Sequence, residues 1–310
     1  DDADAIAQRL RMKLTNSLTE NVGFVFYGEV DLDWGVNGDV GIDARDLEVK
    51  NAYLYINDDA FSAKLGGQGY GDIFNGLVIS EDIMAITANY KFGAADLGLA
   101  YGKLAEGNDA VDDDRDFYAA TVAFNATDAV KLSAAVYVDD FGATAASSSF
   151  APVYNSTNMD FDAVETVVDA EAEETNVYYG ARIDAMVSEA LNISAFGIIA
   201  DMEDGDTYIL DASAKMKMGK GSLMFEALYA PDEDDTEFGD IANFMYNGQN
   251  LMFLTKDVAA TNNGYTEGKY QAPLFNGDGL TMLMLSGNYD FDAFYAGFGF
   301  GWADTDLEEL

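Results

Sequence analysis

The chain has 310 residues, of which 56 are acidic and 16 basic, and its formal net charge is −40 at pH 7. It contains no His and no Cys, which excludes disulfides, thiolate or imidazole metal ligands, and catalysis by either side chain. The acidic balance argues against nucleic acid as a partner, whereas the hydrophobic fraction of 49% is too high for a disordered acidic chain.

The first eight residues carry no strand pattern, so we expect residues 1–8 to be irregular. Alternation begins at Arg9, and Leu10, Met12, Leu14 and Leu18 share one parity. Because apolar residues recur at two rather than at three and four, this segment is predicted to be a strand and not a helix.

The clearest pattern covers residues 82–103. Met84, Ile86 and Tyr90 share one parity, and after the short turn at Gly93 the alternation continues with Leu97 and the apolar residues that follow it. Two alternating runs of about ten residues joined by a short turn predict a β-hairpin. One apolar face and one small or polar face are typical of a transmembrane β-barrel, in which the first contacts lipid and the second the lumen.

The rest of the chain repeats this unit, giving about fourteen strands in seven tight hairpins separated by longer acidic loops. The predicted fold is an all-β, antiparallel, up-and-down transmembrane barrel that forms a single domain over residues 1–310. Short turns would be periplasmic, and the long loops at about 140–174 and 231–279 would be extracellular. A soluble β-sandwich also alternates, but its strands are shorter and lack this rhythm. No apolar run is long enough for a spanning helix.

The topology leaves two strand counts open. The first strand ends in a short turn, and the last strand begins after a short turn. Both ends of the chain would therefore lie on the side of the long loops. Sixteen strands, or up to eighteen, in the full-length protein would return both ends to the periplasm, and a fourteen-stranded barrel with both ends outside is the alternative. The predicted location is the outer membrane of a Gram-negative bacterium.

Three segments resemble bacterial outer-membrane porins: Arg9–Arg11, Ala52–Leu54 and the run Lys64–Asp72, which reads KLGGQGYGD. The chain is most similar to barrels of the alginate-export type and their relatives among porins of environmental bacteria. In such proteins an alternating strand often reaches Gly-Arg-Gln close to Gly-Asp, whereas Gly67 stands here in place of the Arg. The resemblance implies a channel of sixteen to eighteen strands, and we take from it the class of protein and not the solute.

Charged residues fall on the parity that would face the lumen. A charge on the lipid face would cost about 2–4 kcal/mol near mid-membrane, so a barrel requires this placement whatever it transports. A basic ladder that guides anionic solutes is the functional alternative. The predicted pore-lining residues are Arg9, Arg11, Lys13, Lys64, Lys91, Lys131, Arg182, Lys215, Lys217, Glu29, Asp31, Asp184 and Asp211.

The segment from Gly69 to Glu81 is unusual because it is apolar where the other loops are rich in Asp and Gly. Apolar residues are poorly placed in a loop surrounded by water, so this segment is expected to pack against something. It could fold into the lumen as a constriction loop or lie across a neighbouring subunit of a homotrimer. The residues predicted to form the constriction are Asp72, Ile73, Phe74 and Leu77.

Clustered acids in the loops could bind a divalent cation weakly, or could form a solvated surface that binds nothing. Ca²⁺ is the candidate ion, and no other cofactor is predicted. The candidate ligands are Asp112, Asp113, Asp114, Asp232, Asp234 and Asp235.

The sequence predicts a porin, that is, a passive diffusion channel for small hydrophilic solutes or ions, with no enzymatic activity. Its partners would be membrane lipid, lipopolysaccharide and the solutes. The alternative is a structural or adhesive barrel whose acidic loops bind cations, surfaces or other proteins.

Overall fold

The structure is a computed structural model. It describes residues 6–34, 42–105, 114–143, 147–155, 160–168, 173–202, 205–232 and 278–304. Within these residues, no helix is long and apolar enough to cross a membrane.

Fourteen strands form one antiparallel sheet in which each strand pairs with the next strand of the sheet along the chain. The predicted all-β, up-and-down arrangement of fourteen strands is therefore confirmed. The strands of this sheet are β1 (Ile6–Ser17), β2 (Val22–Trp34), β3 (Ile42–Asn57), β4 (Phe61–Gly71), β5 (Ser80–Phe92), β6 (Ala95–Ala105), β7 (Arg115–Thr127), β8 (Val130–Phe141), β11 (Glu174–Ser188), β12 (Leu191–Met202), β13 (Gly205–Met218), β14 (Gly221–Asp232), β15 (Asp278–Asp290) and β16 (Tyr295–Asp304).

Two further strands, β9 (Ser147–Asn155) and β10 (Asp160–Val168), pair only with each other. They lie inside the segment 140–174, which the sequence predicted to be a loop, so that prediction was wrong in its detail. Both strands contain aromatic or β-branched residues, which favour extended backbone. The Ser-rich start at Ser147–Ser149 conceals this pattern.

The N-terminal boundary also differs from the prediction. β1 begins at Ile6 and not after residue 8, because its pairing with β2 extends to the register pair Ile6 and Trp34. At the other long loop, β14 continues to Asp232 and β15 begins at Asp278, and residues 233–277 lie outside the described part of the chain.

Alternation divides the sheet into two faces. On β5, Ile86 and Lys91 are five residues apart, and the pairing of β5 with β4 and β6 has no register shift, so the two residues lie on opposite faces. One face, here called the outer face, is a broad belt of exposed apolar side chains. It includes Leu10, Met84, Ile86, Leu97, Leu99, Ile183, Leu210, Phe225 and Phe300. The other face is the inner face.

The tight connections share one edge of the sheet because the strands alternate in direction. They are residues 18–21, 58–60, 93–94, 128–129, 189–190, 219–220 and 291–294. The connections at the opposite edge, called the loop edge here, include the long segments that the sequence placed outside the cell. Gly93 and Gly219 both have a φ of 61°, which is why glycine occupies these two turns.

Candidate functional site

The residues predicted to line a pore lie on the inner face wherever the structure describes their side chains. In β8 and β11, Lys131 is in register with Asp184, and in β11 and β12 Asp184 is in register with Ser194. Their outer-face neighbours Leu132 and Ile183 are exposed and apolar. Asp31 is in register with Arg9, and its backbone position in β2 is all that the structure describes.

A charged cluster occupies the inner face of β1 and β2. Glu29 is only 2% exposed, and its two carboxylate oxygens accept contacts from Arg9 Nε at 3.0 Å and Arg11 Nε at 2.5 Å. Both arginines are about half exposed. A buried carboxylate with two cationic partners is satisfied.

Asp72 organises the connection between β4 and β5, residues 72–79, which we call the inner loop. Its carboxylate accepts four backbone N–H groups, from Phe74 at 2.6 Å, Gly76 at 2.9 Å, Val78 at 2.6 Å and Ile79 at 2.8 Å. Burial raises the pKa of Asp72, while these four donors act in the opposite direction. One side chain therefore fixes the backbone path of the whole inner loop.

The inner loop turns at an Asn-Gly pair. Asn75 and Gly76 have positive φ angles of 64° and 84°, a conformation that Asn tolerates and Gly adopts freely. The sequence Asp72 to Gly76 carries this signal, because Asp begins such turns and Asn-Gly completes them. The loop was predicted from the sequence, but the role of the Asp72 carboxylate was not.

The inner loop packs on the inner face of the sheet through its apolar side chains. Phe74 and Leu77 are fully buried. The Phe74 ring lies 5.6 Å from the ring of Phe196 and 6.1 Å from that of Tyr137, measured between centroids. The Tyr137 hydroxyl also accepts the N–H of Ile73 at 3.0 Å. The loop therefore lies against strands of its own chain.

Arg182 connects the inner loop to β11. Its Nη1 donates to the carbonyl oxygen of Ile73 at 3.0 Å and to Asn75 Oδ1 at 2.7 Å. Its Nε and Nη2 donate to Asp184 at 2.9–3.1 Å. One predicted pore-lining cation thus holds two of the loop residues on the wall.

The inner face is not polar throughout. Around the inner loop, the inner sides of β5, β7, β8 and β11–β15 form an apolar core. Its fully or nearly fully buried members include Phe117, Tyr137, Tyr178, Ile198, Ile209, Leu228 and Met282. The inner loop packs into this core through Phe74, which lies against Tyr137 and Phe196, and the core members are buried on the lumen parity.

One polar pair lies at the margin of this core. The guanidinium of Arg115 binds the carboxylate of Asp139 in two places, at 2.9 Å and 2.5 Å, and stacks on Phe141 at 4.1 Å. Asp139 is only 1% exposed, so this pair contributes mainly by satisfying a buried charge. Arg115 was not among the residues predicted to line the pore, because it directly follows an acidic loop.

The predicted cation ligands are mostly outside the described residues: Asp112, Asp113, Asp234 and Asp235. Asp114 pairs with Lys103 at 2.5 Å. Asp232 ends β14 opposite Asp278 in the register, and its side chain is not described. Across the part of the chain that the structure covers, no group of three acidic side chains could hold a metal ion.

A cavity of about 530 Å³ lies on the inner face, between the inner loop and the edge of the sheet that carries the tight connections. Asn75 and Arg182 contribute to its lining from the loop side, and residues 127–131 contribute from the turn side. Lys215 and Asp184 also line it. Of the predicted pore-lining residues, the structure therefore brings Lys131, Arg182, Asp184 and Lys215 together at one site.

Replacing Arg182 with Met is expected to loosen the inner loop without unfolding the sheet. The change removes the two hydrogen bonds to the loop, and about 1–3 kcal/mol of the free energy that holds it should be lost. Single-channel recordings should then show larger current fluctuations than the wild type. A matched Lys220→Met variant, at an exposed turn, should record like the wild type, and equal noise in all three proteins would contradict this role for Arg182.

Several solved structures are similar to this one. OmpT of Vibrio cholerae, described as an outer membrane protein in its trimer form, is 13% identical, with 96% of this chain and 81% of that chain covered and a TM-score of 0.50. A loop-deletion mutant of the same V. cholerae protein is 14% identical, with coverage of 96% and 86% and a TM-score of 0.50. The chain has the fold of an outer-membrane β-barrel.

A triple mutant of the Rh. blastica porin is 10% identical, with 97% of this chain and 89% of that chain covered and a TM-score of 0.48. No protein-family model matches the chain, and no curated protein matches its sequence. The predicted outer-membrane location agrees with the barrel fold, and the exposed apolar belt is then the surface that contacts lipid.

Proposed function

We propose that the protein is an outer-membrane porin, a passive, water-filled channel for small hydrophilic solutes or ions. The observation that carries this proposal is the distribution of charge on the inner face. Arg9, Arg11, Lys64 and Lys131 lie on the face opposite the apolar belt, where a barrel encloses water. Such groups replace part of a solute's hydration as it passes.

The inner loop is proposed to set the width of this channel. It occupies space on the inner face and is held there by the Asp72 carboxylate, by Arg182 and by burial of Phe74. Since the core around the loop also includes Ile83 and Ala85 of β5, the water path would run along the wall formed by β1 to β3, which carries the Glu29 cluster.

No chemistry is required for this function, and the protein is proposed not to be an enzyme and to need no cofactor. Its proposed partners are membrane lipid, lipopolysaccharide and the solutes themselves. A homotrimer is also proposed, by analogy with the V. cholerae protein whose structure is titled a trimer form. Cross-linking in intact outer membranes would test the assembly.

Single-channel conductance in planar bilayers tests the proposal. The folded protein is expected to produce discrete current steps that scale with salt concentration, because ions would cross a water-filled lumen. The control is the same mixture of detergent and lipid without the protein. A correctly folded barrel that passes no current would instead favour the structural or adhesive alternative.

A further inference from the structure

The inner face of β3 and β4 carries two tyrosines and one lysine in the half that is nearest the tight connections. Tyr55 is in register with Lys64, and Tyr53 is in register with Gly66, so the three side chains lie within two positions of one another. Lys64 is exposed and both tyrosines are partly exposed, so a solute in the lumen can reach them. We call Tyr53, Tyr55 and Lys64 the tyrosine–lysine patch.

The backbone of neighbouring strands leaves room for the two tyrosine rings. The hydroxyl of Tyr55 lies 3.4 Å from Oγ of Ser17 in β1, so the side chain extends across β2. Gly23 is the residue of β2 between them in the register, and a Cβ there would lie 2.3 Å from the Tyr55 hydroxyl. Tyr53 stands opposite Gly66, which has no side chain to cover its ring. The rings are therefore held beside the wall with space next to them.

Lys64 places a positive charge beside these rings, and no carboxylate is close to it. Its Nζ lies 5.2 Å from the centroid of the Tyr53 ring. Among the residues that the structure describes, no carboxylate is within salt-bridge distance of this ammonium group. The eight inner-face positions that surround Lys64 on β3, β4 and β5 are all uncharged: Tyr53, Tyr55, Asn57, Ser62, Gly66, Ala85, Thr87 and Asn89.

The nearest acidic residues along the chain do not change this charge distribution. Asp58 and Asp59 lie in the tight connection beyond the ends of β3 and β4, and the Asp58 carboxylate accepts the N–H of Asp59 at 2.8 Å. Lys64 is therefore a cation in a part of the inner wall where the adjacent side chains carry no charge.

The ring and the ammonium group are close enough to bind one small solute together. An ammonium group donates to a carboxylate, and two aromatic rings attract each other at centroid separations of about 4.5–7 Å. A solute whose carboxylate is attached directly to a flat aromatic ring can make both contacts at once. An aliphatic acid makes only the ion pair, and a neutral aromatic compound makes only the ring contact.

We propose that the tyrosine–lysine patch is a binding site for aromatic carboxylates that pass through the channel. The carboxylate pairs with Lys64, and the ring packs against Tyr53 and Tyr55. This inference rests on the proposed channel function and names the class of solute that the channel favours. The patch includes part of β3, so a solute that follows the wall of β1 to β3 meets it on its way through.

Three probes of seven carbon atoms separate charge from aromatic character. Benzoate has both, cyclohexanecarboxylate has the charge on a saturated ring, and benzamide has the aromatic ring without the charge. The half-blocking concentration of each probe is measured from single-channel currents at pH 7, where both acids are ionised. We expect the value for benzoate to be about 2- to 5-fold lower than that for either other probe, because it combines an exposed ion pair with a ring contact.

A second measurement detects binding without current. Saturation-transfer NMR compares the three probes on the protein in lipid nanodiscs, and empty nanodiscs are the control for partitioning into lipid. Benzoate is expected to give the strongest transfer from the protein.

Variants assign the effect to the patch. Lys64→Met should raise the half-blocking concentration of benzoate to that of benzamide, and Tyr53→Leu should raise it to that of cyclohexanecarboxylate. Because Lys64 is exposed, its replacement should leave thermal denaturation unchanged, and this is measured first. Lys220→Met at an exposed turn and Tyr90→Leu on the outer face remove the same side chains outside the lumen, and both should match the wild type.

The two proposals fail in different ways. An open channel that benzoate and cyclohexanecarboxylate block equally, or in which Lys64→Met is blocked like the wild type, overturns the binding site and leaves the porin function standing. A protein that passes no ions but binds benzoate through Lys64 overturns the channel and leaves the site. Loss of the benzoate preference in the Lys220→Met variant would also overturn the assignment to this patch.

Discussion

Replacing Asp72 with Ala is expected to free the inner loop and to raise single-channel conductance. The carboxylate accepts four backbone N–H groups, and its removal leaves these donors without an acceptor inside a mostly dry region. Each buried donor left unsatisfied costs about 1–3 kcal/mol, so the free energy of unfolding should fall by roughly 3–5 kcal/mol after partial relaxation. Planar-bilayer recordings and thermal denaturation measure the two effects.

Asp59→Ala supplies the control, because it removes one acidic side chain at an exposed tight turn. This variant should keep the conductance and the melting temperature of the wild type. If Asp72→Ala also kept both, the inner loop would be held by other contacts, and its proposed role in setting the channel width would have to be abandoned.

Replacing Ile86 with Lys is expected to destabilise the folded protein in membranes by about 2–4 kcal/mol. Ile86 lies at the middle of β5 on the outer face and is 51% exposed, so in the bilayer its side chain contacts hydrocarbon. A lysine near mid-membrane must lose most of its hydration there. Urea-dependent folding into lipid vesicles gives the free energy.

Asn89→Lys is the control for this prediction. It introduces the same charge in the same strand, but on the opposite face of the sheet. Asn89 is exposed on the inner face, three residues from Ile86, so its replacement should change stability by no more than about 0.5 kcal/mol. Equal losses for the two variants would mean that the inner and outer faces of β5 have been assigned wrongly.

Much of the fold could be predicted because alternation alone assigns the two faces of a strand. The positions of Ile86 and Lys91 followed from their odd spacing, and the short turn at Gly93 followed from its residue type. No long-range information was needed for either. The strand β9 was not predicted, because its Ser-rich start at Ser147–Ser149 hides the alternation of apolar residues.

The apolar core of the inner face could not be predicted, because burial there depends on a distant segment. Phe117 and Tyr137 occur on the lumen parity, and an aromatic residue in a strand is common whether it faces water or not. Tyr137 is buried against Phe74 of the inner loop, and Phe117 is buried against Tyr70 and Tyr137. The apolar composition of that loop was visible in the sequence, but the wall on which it packs was not.

The position of the inner loop also imposes an order on assembly. Ile73 and Arg182 hydrogen bond across a separation of 109 residues, and Phe74 packs on Phe196 in the following strand. The loop emerges with the first four strands but cannot reach its final contacts until β11 and β12 have paired. Docking of the inner loop is therefore a non-local step that follows the pairing of these strands and slows the completion of folding.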